Sequence, residues 1–176
     1  NDGRPAVVIN VNGLTGNGLT RAATADGSSI RGLVINNYTS AAIYINSGSD
    51  GNTIAGNYLG GLDASGNQIA VTSSSYTVFV AGANNHIGGN TTADRNVISS
   101  GTSGNYGILI FGAAANGNIV SGNYLSTDAS GNTAFSTSTT PVSIQGNASD
   151  NVIGGAGAGA GNVIASANNL PVYISQ

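Results

Sequence analysis

The chain of 176 residues has the length of one domain and is long enough to bury a core. Only 6% of its residues are charged, against about 25% in a typical globular domain. With a net charge of −3, it lacks the clustered Lys and Arg of a nucleic-acid-binding surface. No apolar run approaches the about 20 residues of a membrane-spanning helix. We therefore expect neither a nucleic acid partner nor membrane insertion.

Small polar and β-branched residues replace the charged ones. Every acid is Asp, every base is Arg, and Lys, Glu, Cys, Met and Trp are absent. Long charged side chains would repel one another if strands stacked in register about every 4.8 Å, so a stacked β-structure accounts for the missing Lys and Glu. Because the chain has no disulfide, signal peptide or initiator Met, we expect a processed or excised segment of a secreted or cell-surface protein.

The chain begins with a short predicted strand, and the residues after it show no regular spacing of apolar side chains. Residues 6–9 are an apolar run of Ala, Val and Ile. Residues 11–28 are rich in Gly, Asn, Thr and Ala, with Leu14 and Leu19 as their large apolar anchors. We predict that residues 1–28 form an irregular first coil of a single domain that spans the whole chain.

From residue 29 to residue 176, two short motifs alternate. Each predicts a strand of three to five residues with period 2, which directs the aliphatic side chains to one face. The aliphatic-x-aliphatic motif lies at residues 43–45, 78–80, 108–110, 142–144 and 172–174. The Asn-x-Ile/Val motif begins at Asn52, Asn85, Asn96, Asn118, Asn151 and Asn162.

The order of these motifs predicts a right-handed parallel β-helix. The motifs return in the same direction without consistent two-residue hairpin loops, so successive coils stack like on like, in parallel. One coil can be traced from residues 78–80 through Ile87 and Ile98 back to residues 108–110. No stretch combines helical periodicity with helix caps. We predict an all-β solenoid of five to six rungs, with three short strands in each rung.

A longer repeat is superimposed on these motifs. Residues 52–59, Asn-Thr-Ile-Ala-Gly-Asn-Tyr-Leu, return at residues 118–125 as Asn-Ile-Val-Ser-Gly-Asn-Tyr-Leu, and the same Asp-Ala-Ser-Gly-Asn loop follows each copy. The repeat of about 65 residues corresponds to two rungs, one long and one short. We interpret each copy as one side of a long rung and predict its third side at residues 69–71 and 134–135. Asn suits the corners and can bond from rung to rung.

These motifs resemble the right-handed β-helix repeats of large bacterial secreted and cell-surface proteins, which have the pectate-lyase-like fold. The resemblance covers about residues 4–176 and is carried by residues 31–36, 52–59, 63–66 and 95–100. It implies the fold and an extracellular or cell-surface location, but no defined chemistry. The polysaccharide lyases of this fold use a Lys or Arg base with acidic calcium ligands, and this chain has no Lys.

Asp63 and Asp128, which open the two Asp-Ala-Ser-Gly-Asn loops, are the weak candidates for a metal site. Calcium takes six to eight oxygen ligands, and each loop offers one carboxylate. The same pattern is typical of a turn in which Asp accepts hydrogen bonds from its own backbone, and we favour this interpretation. We predict no catalytic residue and no cofactor, with Ca²⁺ at these loops as the one alternative.

Other polar and aromatic side chains also have two interpretations. His86, the only histidine, is expected to face outward beside the inward Ile87. Tyr58 and Tyr124 recur at one repeat position, where they either form a sugar-stacking platform or, as we favour, pack over the loop. Candidate N-glycosylation sites of a glycoprotein are Asn37, Asn90 and Asn147, each in Asn-x-Ser/Thr.

The ends of the predicted solenoid lack a cap. An open terminal rung exposes backbone donors and acceptors together with apolar side chains. Either further sequence covers such an end, or another copy docks there, and repeated head-to-tail docking gives a filament. The self-assembly residues would be Val7, Ile9, Val172 and Ile174.

Three functions are therefore open. The leading hypothesis is a non-catalytic extracellular structural protein that pairs head to tail with copies of itself in a filament or surface layer. The second is a carbohydrate-binding adhesin or surface module of a larger protein, with glycans as partners. The third is a polysaccharide lyase or hydrolase, which would need converging Asp side chains along one groove.

Overall fold

The computed structural model describes residues 4–69, 75–99, 106–135, 139–165 and 170–175. Within these ranges all regular secondary structure is β-strand, and the 17 strands are short. In chain order they are β1 (Val7–Asn10), β2 (Leu19–Arg21), β3 (Ser29–Arg31), β4 (Leu33–Asn36), β5 (Ile43–Ile45), β6 (Thr53–Ala55), β7 (Tyr58–Gly60), β8 (Tyr76–Val80), β9 (His86–Gly88), β10 (Val97–Ser99), β11 (Tyr106–Phe111), β12 (Ile119–Ser121), β13 (Tyr124–Leu125), β14 (Thr140–Gln145), β15 (Val152–Ile153), β16 (Val163–Ile164) and β17 (Val172–Ile174).

The strands form three parallel sheets that run along the rod. Sheet A has the order β1-β4-β7-β10-β13-β16, sheet B runs β2-β5-β8-β11-β14-β17, and sheet C runs β3-β6-β9-β12-β15. Each sheet takes every third strand, so one turn of the chain visits A, B and C before it returns to A one rung higher. The prediction of a right-handed parallel β-helix of five to six rungs with three short strands each is confirmed, and the strands make about six rungs.

The segment that we expected to be irregular contains a strand. Leu19–Arg21 (β2) pairs in parallel with Ile43–Ile45 (β5) and opens sheet B. The backbone N–H of Leu19 donates to the carbonyl of Ala42 at 2.9 Å. Pairing with the rung above therefore imposes the strand, although the local composition does not favour one.

The repeated stretch at residues 52–59 is two strands rather than one side of a rung. Its first half is β6 in sheet C and its second half is β7 in sheet A, with a corner at Gly56, whose φ is +66°. The third side of this rung is therefore Tyr58–Gly60, and the prediction of residues 69–71 is wrong at Ile69, which donates to the carbonyl of Gly61 in the loop that follows β7. Residues 70 and 71 lie outside the described residues.

The second copy has the same arrangement. Its third side is β13 in sheet A, and the prediction of residues 134–135 is wrong. Ala134 instead forms an antiparallel bridge with Thr127, which closes the Asp128 loop on itself. We placed the third side too late in both copies, because we expected a longer loop before it. Instead, a single Gly with left-handed backbone turns the chain directly from sheet C into sheet A.

The interior consists of stacked aliphatic rows, as the period-2 pattern predicts. Residues in register on successive rungs place β-branched side chains against one another, and nearly all of them are fully buried. The rows are Ile30, Ile54, Ile87 and Val120 in sheet C, Ile35, Leu59, Ile98 and Leu125 in sheet A, and Ile43, Val78, Ile108 and Val142 beside Ile45, Val80, Ile110 and Ile144 in sheet B.

Two asparagine ladders hold the corners that flank sheet C. The first ladder is Asn52, Asn85, Asn118 and Asn151, and the second ladder is Asn57, Asn96, Asn123 and Asn162. On each step the side-chain Nδ2 donates to the Oδ1 of the next asparagine at 2.9–3.2 Å. The expected rung-to-rung amide bonds are confirmed, and they satisfy polar groups that the corners bury.

Candidate functional site

An aromatic groove lies on the outer face of sheet B. Because Val78 and Val80 point inward, period 2 sends Phe79 to the outside of β8. Tyr44 on β5 is in register with Phe79, and Tyr106 on β11 is in register with Tyr76. The fifth aromatic ring belongs to Phe111, at the end of β11.

The rings stack along the rod axis. The centroids of Tyr44 and Phe79 are 4.4 Å apart with an interplanar angle of 15°. Tyr76 and Tyr106 form a second stack at 6.2 Å and 17°, while Phe111 is tilted against Phe79 at 6.3 Å and 36°. The Tyr44–Phe79 separation is close to the strand spacing of about 4.8 Å, and the two longer separations are within the range of about 4.5–7 Å in which aromatic pairs attract.

The two stacks border a groove of about 370 Å³. Leu109 and Gln145 complete its described lining, which contains no charged side chain. Phe79 is almost buried, whereas Phe111 is 44% exposed at the rim. Gln145 donates through Nε2 to the hydroxyl of Ser143 at 2.8 Å, which fixes its amide at the edge of the groove. The site therefore suits an uncharged ligand that has apolar faces and hydroxyl groups.

The sequence contained a signal for this groove that motif reasoning missed. Tyr44, Phe79, Leu109, Ser143 and Tyr173 are the central residues of the five aliphatic-x-aliphatic motifs, and they form one outward row of sheet B. Stacking of like motifs brings these central positions together. The motif was interpreted only through its aliphatic residues, which predict the core, and no role was predicted for the aromatic residues between them.

Tyr58 and Tyr124 pack against the protein rather than form a platform. They lie against a small cluster of buried apolar side chains on the outside of sheet A, made of Leu62, Val97 and Phe135. The ring of Tyr124 also lies beneath the Arg95 guanidinium, whose carbon is 4.1 Å from the ring centroid. The packing interpretation accounts for both tyrosines.

Asp63 closes its own turn. Its Oδ1 accepts hydrogen bonds from the backbone N–H of Ser65 at 2.8 Å and of Asn67 at 2.9 Å. Partial burial raises the pKa of Asp63, but the hydrogen bonds from Asn67 and Ser65 outweigh it, and the pKa lies below its usual value. The carboxylate is thus engaged as a turn residue.

Asp128 has the same role in the second loop. Its Oδ1 accepts from the Ser130 hydroxyl at 2.8 Å and from the backbone N–H of Asn132 at 3.2 Å. The Ser130 hydroxyl is the main reason that the pKa of Asp128 is lowered. Among the described residues, no three His, Cys, Asp or Glu side chains gather as a metal site would need. Calcium at the two loops remains the alternative to the favoured turn interpretation.

A second cavity, of about 450 Å³, contains His86 and Asp94 among its lining residues at the corner between sheets C and A. His86 is exposed on the outer face, as expected. Asp94 accepts from the Thr91 hydroxyl and from Arg31 Nη1, both at 2.7 Å. The Thr91 hydroxyl and the Arg31 guanidinium hold the pKa of Asp94 below its usual value. The described lining of this cavity has one carboxylate, already paired, whereas glycosidases use two.

Stacking brings one pair of carboxylates onto adjacent rungs. Asp26 Oδ1 accepts the backbone N–H of Asp50 at 2.8 Å, and Asp50 Oδ1 accepts the N–H of Ala83 at 2.7 Å. Each carboxylate thus holds the turn of the rung above. Neither Asp26 nor Asp50 lines the aromatic groove or the cavity at His86.

The three glycosylation candidates differ in accessibility. Asn90 and Asn147 are exposed. Asn37 is partly buried, and its Nδ2 donates to Asn10 Oδ1 at 3.0 Å. Asn90 and Asn147 are therefore better placed to carry a glycan than Asn37.

The predicted self-assembly residues lie on the outermost rungs. Val7 is 53% exposed and Ile174 is 64% exposed, whereas Ile9 packs against the core. Val172 is 38% exposed in the last strand of sheet B. The first strand of sheet A and the last strand of sheet B thus carry exposed apolar side chains among the described residues.

The described part of the chain forms no apolar helix of membrane-spanning length. No family model, curated protein or solved structure matches this chain.

Proposed function

We propose that this chain is a non-catalytic carbohydrate-binding module of the bacterial secreted or cell-surface type that its repeats resemble. The observation that carries the proposal is the aromatic groove on sheet B, with five aromatic rings and no charged side chain in its described lining. A β-helix would serve as the rigid rod that presents the groove.

The chemistry of the groove favours neutral sugars over other small molecules. A pyranose ring offers an apolar C–H face and a rim of hydroxyl groups. Exposed ring surface at Phe111 can pack against the face, while the hydroxyl groups of Tyr44 and Tyr106 and the amide of Gln145 can bond to the rim. The volume of about 370 Å³ is within the usual range of ligand sites.

The arrangement of ionisable groups supports a binding role over a catalytic one. General acid–base chemistry needs a titratable side chain within hydrogen-bond reach of the reacting atoms. The described lining of the groove offers only tyrosines. In the other cavity Asp94 is occupied by Arg31 and Thr91. We therefore infer binding without turnover.

A glycan array probed with the whole chain tests the proposal, followed by calorimetry with the best ligand. Phe111→Ala should weaken binding about tenfold, which corresponds to about 1.4 kcal/mol, because it removes an exposed ring from the rim. Tyr173→Ala is the matched control, since Tyr173 is 39% exposed on the same sheet but does not line the groove. The proposal fails if no neutral glycan binds, or if both substitutions weaken binding equally.

A structural role is the second candidate, and the exposed apolar edge of the last rung favours it. Val172, Tyr173 and Ile174 form an outermost strand with no neighbour on one side among the described residues. An edge of this kind is a template for pairing with another strand. In this role the chain would be one segment of a longer β-helical rod or surface layer.

A further inference from the structure

A small polar pocket lies on the outer face of sheet A, away from the aromatic groove. Tyr58 and Val97, the outward residues of β7 and β10, contribute to it, and Thr92, Ala93 and Arg95 come from the loop before β10. Its volume is about 170 Å³, below the about 300 Å³ at which sites for whole small molecules begin. The pocket therefore has room for one functional group of a larger ligand.

The pocket exists because neighbouring rungs have corners of different length. One rung turns from sheet C into sheet A at Gly56, and the next makes the same turn through residues 89–96. The longer loop packs directly on Gly56, where a Cβ would lie 2.6 Å from the carbonyl oxygen of Ala93. This contact places the loop residues Thr92 and Arg95 over the outer face of sheet A.

Two contacts with the next rung hold the guanidinium of Arg95. Its Nε donates to the carbonyl of Gly122 at 3.1 Å, and its central carbon is 4.1 Å from the centroid of the Tyr124 ring. No described residue accepts a hydrogen bond from either of its Nη atoms. The side chain is thus positioned before any ligand arrives, which lowers the entropy lost on binding.

Arg95 is also the charged side chain that lacks a counter-charge at this corner. Its sequence neighbour Asp94 accepts from Arg31 Nη1 and from the Thr91 hydroxyl, both at 2.7 Å. No described carboxylate lies within ion-pairing distance of Arg95. The described lining of the pocket therefore carries one positive charge and no negative charge.

The shape and the charge of Arg95 both favour a carboxylate. The planar guanidinium matches the two oxygens of a carboxylate, which can accept parallel N–H bonds from it. A carboxylate carries a single negative charge, whereas a dianion such as sulfate would bring a second charge that the described lining does not compensate.

The Thr92 hydroxyl narrows the ligand further. It lines the same pocket and has no hydrogen-bond partner among the described residues. A hydroxyl group close to the carboxylate of the ligand can bond to it. A uronic acid has a carboxylate and ring hydroxyl groups near one another, whereas the acidic side chains of a peptide have the carboxylate alone.

We propose that the pocket at Arg95 binds the carboxylate of a uronic acid residue, with the Arg95 Nη atoms as the donors. The sugar ring lies at the mouth of the pocket, beside Thr92. The site is independent of the proposed neutral-sugar groove, because that groove is on sheet B and shares no described lining residue with this pocket.

A titration of the whole ¹⁵N-labelled chain with sodium glucuronate, at constant ionic strength, tests the proposal by NMR. The Arg95 Nε–H and the Ala93 amide should shift and saturate with a dissociation constant on the order of millimolar, since a single exposed ion pair contributes little. Glucose, which lacks the carboxylate, should not shift them. Equal shifts with glucose, or no saturable shift with glucuronate, would overturn the proposal.

Two further ligands test the ligand class. Sodium sulfate and N-acetyl-aspartate amide should each bind more weakly than glucuronate, the first because of its second charge and the second because it has no hydroxyl group. Tighter binding of sulfate would overturn the assignment to a carboxylate. Binding of the aspartate derivative as tight as that of glucuronate would overturn the assignment to a sugar.

Substitutions separate this site from the aromatic groove. Arg95→Gln should weaken glucuronate binding about tenfold or more, and Arg95→Lys, which keeps the charge without the planar fork, should weaken it less. Phe111→Ala on sheet B is the control and should leave glucuronate binding unchanged. Neutral glycans should bind Arg95→Gln as they bind the wild type, so either site can fail without the other. Glucuronate binding that survives Arg95→Gln would overturn the proposal.

Discussion

The buried asparagines stabilise the corners because each one joins three rungs. Asn96 accepts the backbone N–H and the Nδ2 of Asn57, donates to Asn123 Oδ1 at 3.0 Å, and donates to the carbonyl of Ile54 at 2.8 Å. It has no exposed surface. Its removal would leave several buried polar groups without partners, and such groups are costly in a low-dielectric interior.

We predict that Asn96→Ala lowers the free energy of unfolding by about 3 kcal/mol, since more than one buried partner loses its hydrogen bond. Urea denaturation monitored by circular dichroism measures the change. Asn132→Ala is the matched control, because Asn132 is exposed and its side chain is not part of a ladder, and it should cost less than about 0.5 kcal/mol. Equal losses in the two variants would show that the ladder is energetically neutral.

At the scale of the strands, the repeated motifs could be predicted from the sequence, whereas a sharp corner and a strand of unfavourable composition could not. Inward aliphatic residues at period 2 identified the three sheets, because the same pattern recurs in the same direction on every rung. The corner at Gly56 was missed, since nothing in the local sequence distinguishes a glycine that turns the chain from one within a side. Strand β2 was missed because its pairing with β5 outweighs a composition rich in Gly and Ala.

The aromatic groove was missed for a related reason. Whether a side chain lines a site depends on its neighbours across the sheet, and these are about 30 residues away in sequence. Tyr44 and Phe79 form a stack only because β5 and β8 pair in the register that places them side by side. Candidate residues with local signals, such as Asp63, could be identified from the sequence, and the structure engages that carboxylate in a turn.

Two glycines at the same corner allow a test of backbone packing. Gly32 and Gly56 have φ values of +69° and +66°. A Cβ added to Gly32 would meet nothing within 4 Å, whereas one added to Gly56 would lie 2.6 Å from the carbonyl oxygen of Ala93 on the next rung. The two positions differ in the space that the neighbouring rung leaves.

We predict that Gly32→Ala costs about 1 kcal/mol, the usual penalty for left-handed backbone, and that Gly56→Ala costs at least about 2 kcal/mol more, because the rungs must separate locally. Thermal unfolding of the two variants gives the comparison, with Gly32→Ala as the internal control for strain. If the two substitutions lower the free energy of unfolding equally, the close approach of the neighbouring rung does not add to the cost of the substitution at Gly56.

For the whole molecule, acid should weaken the fold through its carboxylates. The pKa values of Asp63, Asp94 and Asp128 are lowered in the folded chain. A carboxyl whose folded pKa is below its unfolded value of about 3.9 stabilises the fold above that pH and loses the contribution as the pH falls toward the folded pKa. Stability contributed by these groups should thus be complete near neutral pH and decline below about pH 4.

The urea midpoint measured between pH 6 and pH 2, for the wild type and Asp94→Asn, tests this prediction. The variant keeps a side chain of similar shape but cannot lose a charge, so it should start less stable and lose less stability on acidification than the wild type. A wild type whose midpoint does not change, or two curves with the same slope, would contradict it. The Arg31–Asp94 pair is partly exposed, and we expect the difference to shrink at high salt.

The two spacings of the asparagines show that length at one corner is free to vary. Between sheets C and A, one rung passes from Asn52 to Asn57 in five residues, and the next passes from Asn85 to Asn96 in eleven. Both rungs nevertheless place their asparagines in bonding contact, with Asn57 and Asn96 at 3.0 Å. The packing of the core and the bonding of the ladders therefore do not depend on the length of the loop between sheets C and A. Evolution could insert, exchange or delete segments there, and so alter the outer surface of the rod, without redesigning the interior.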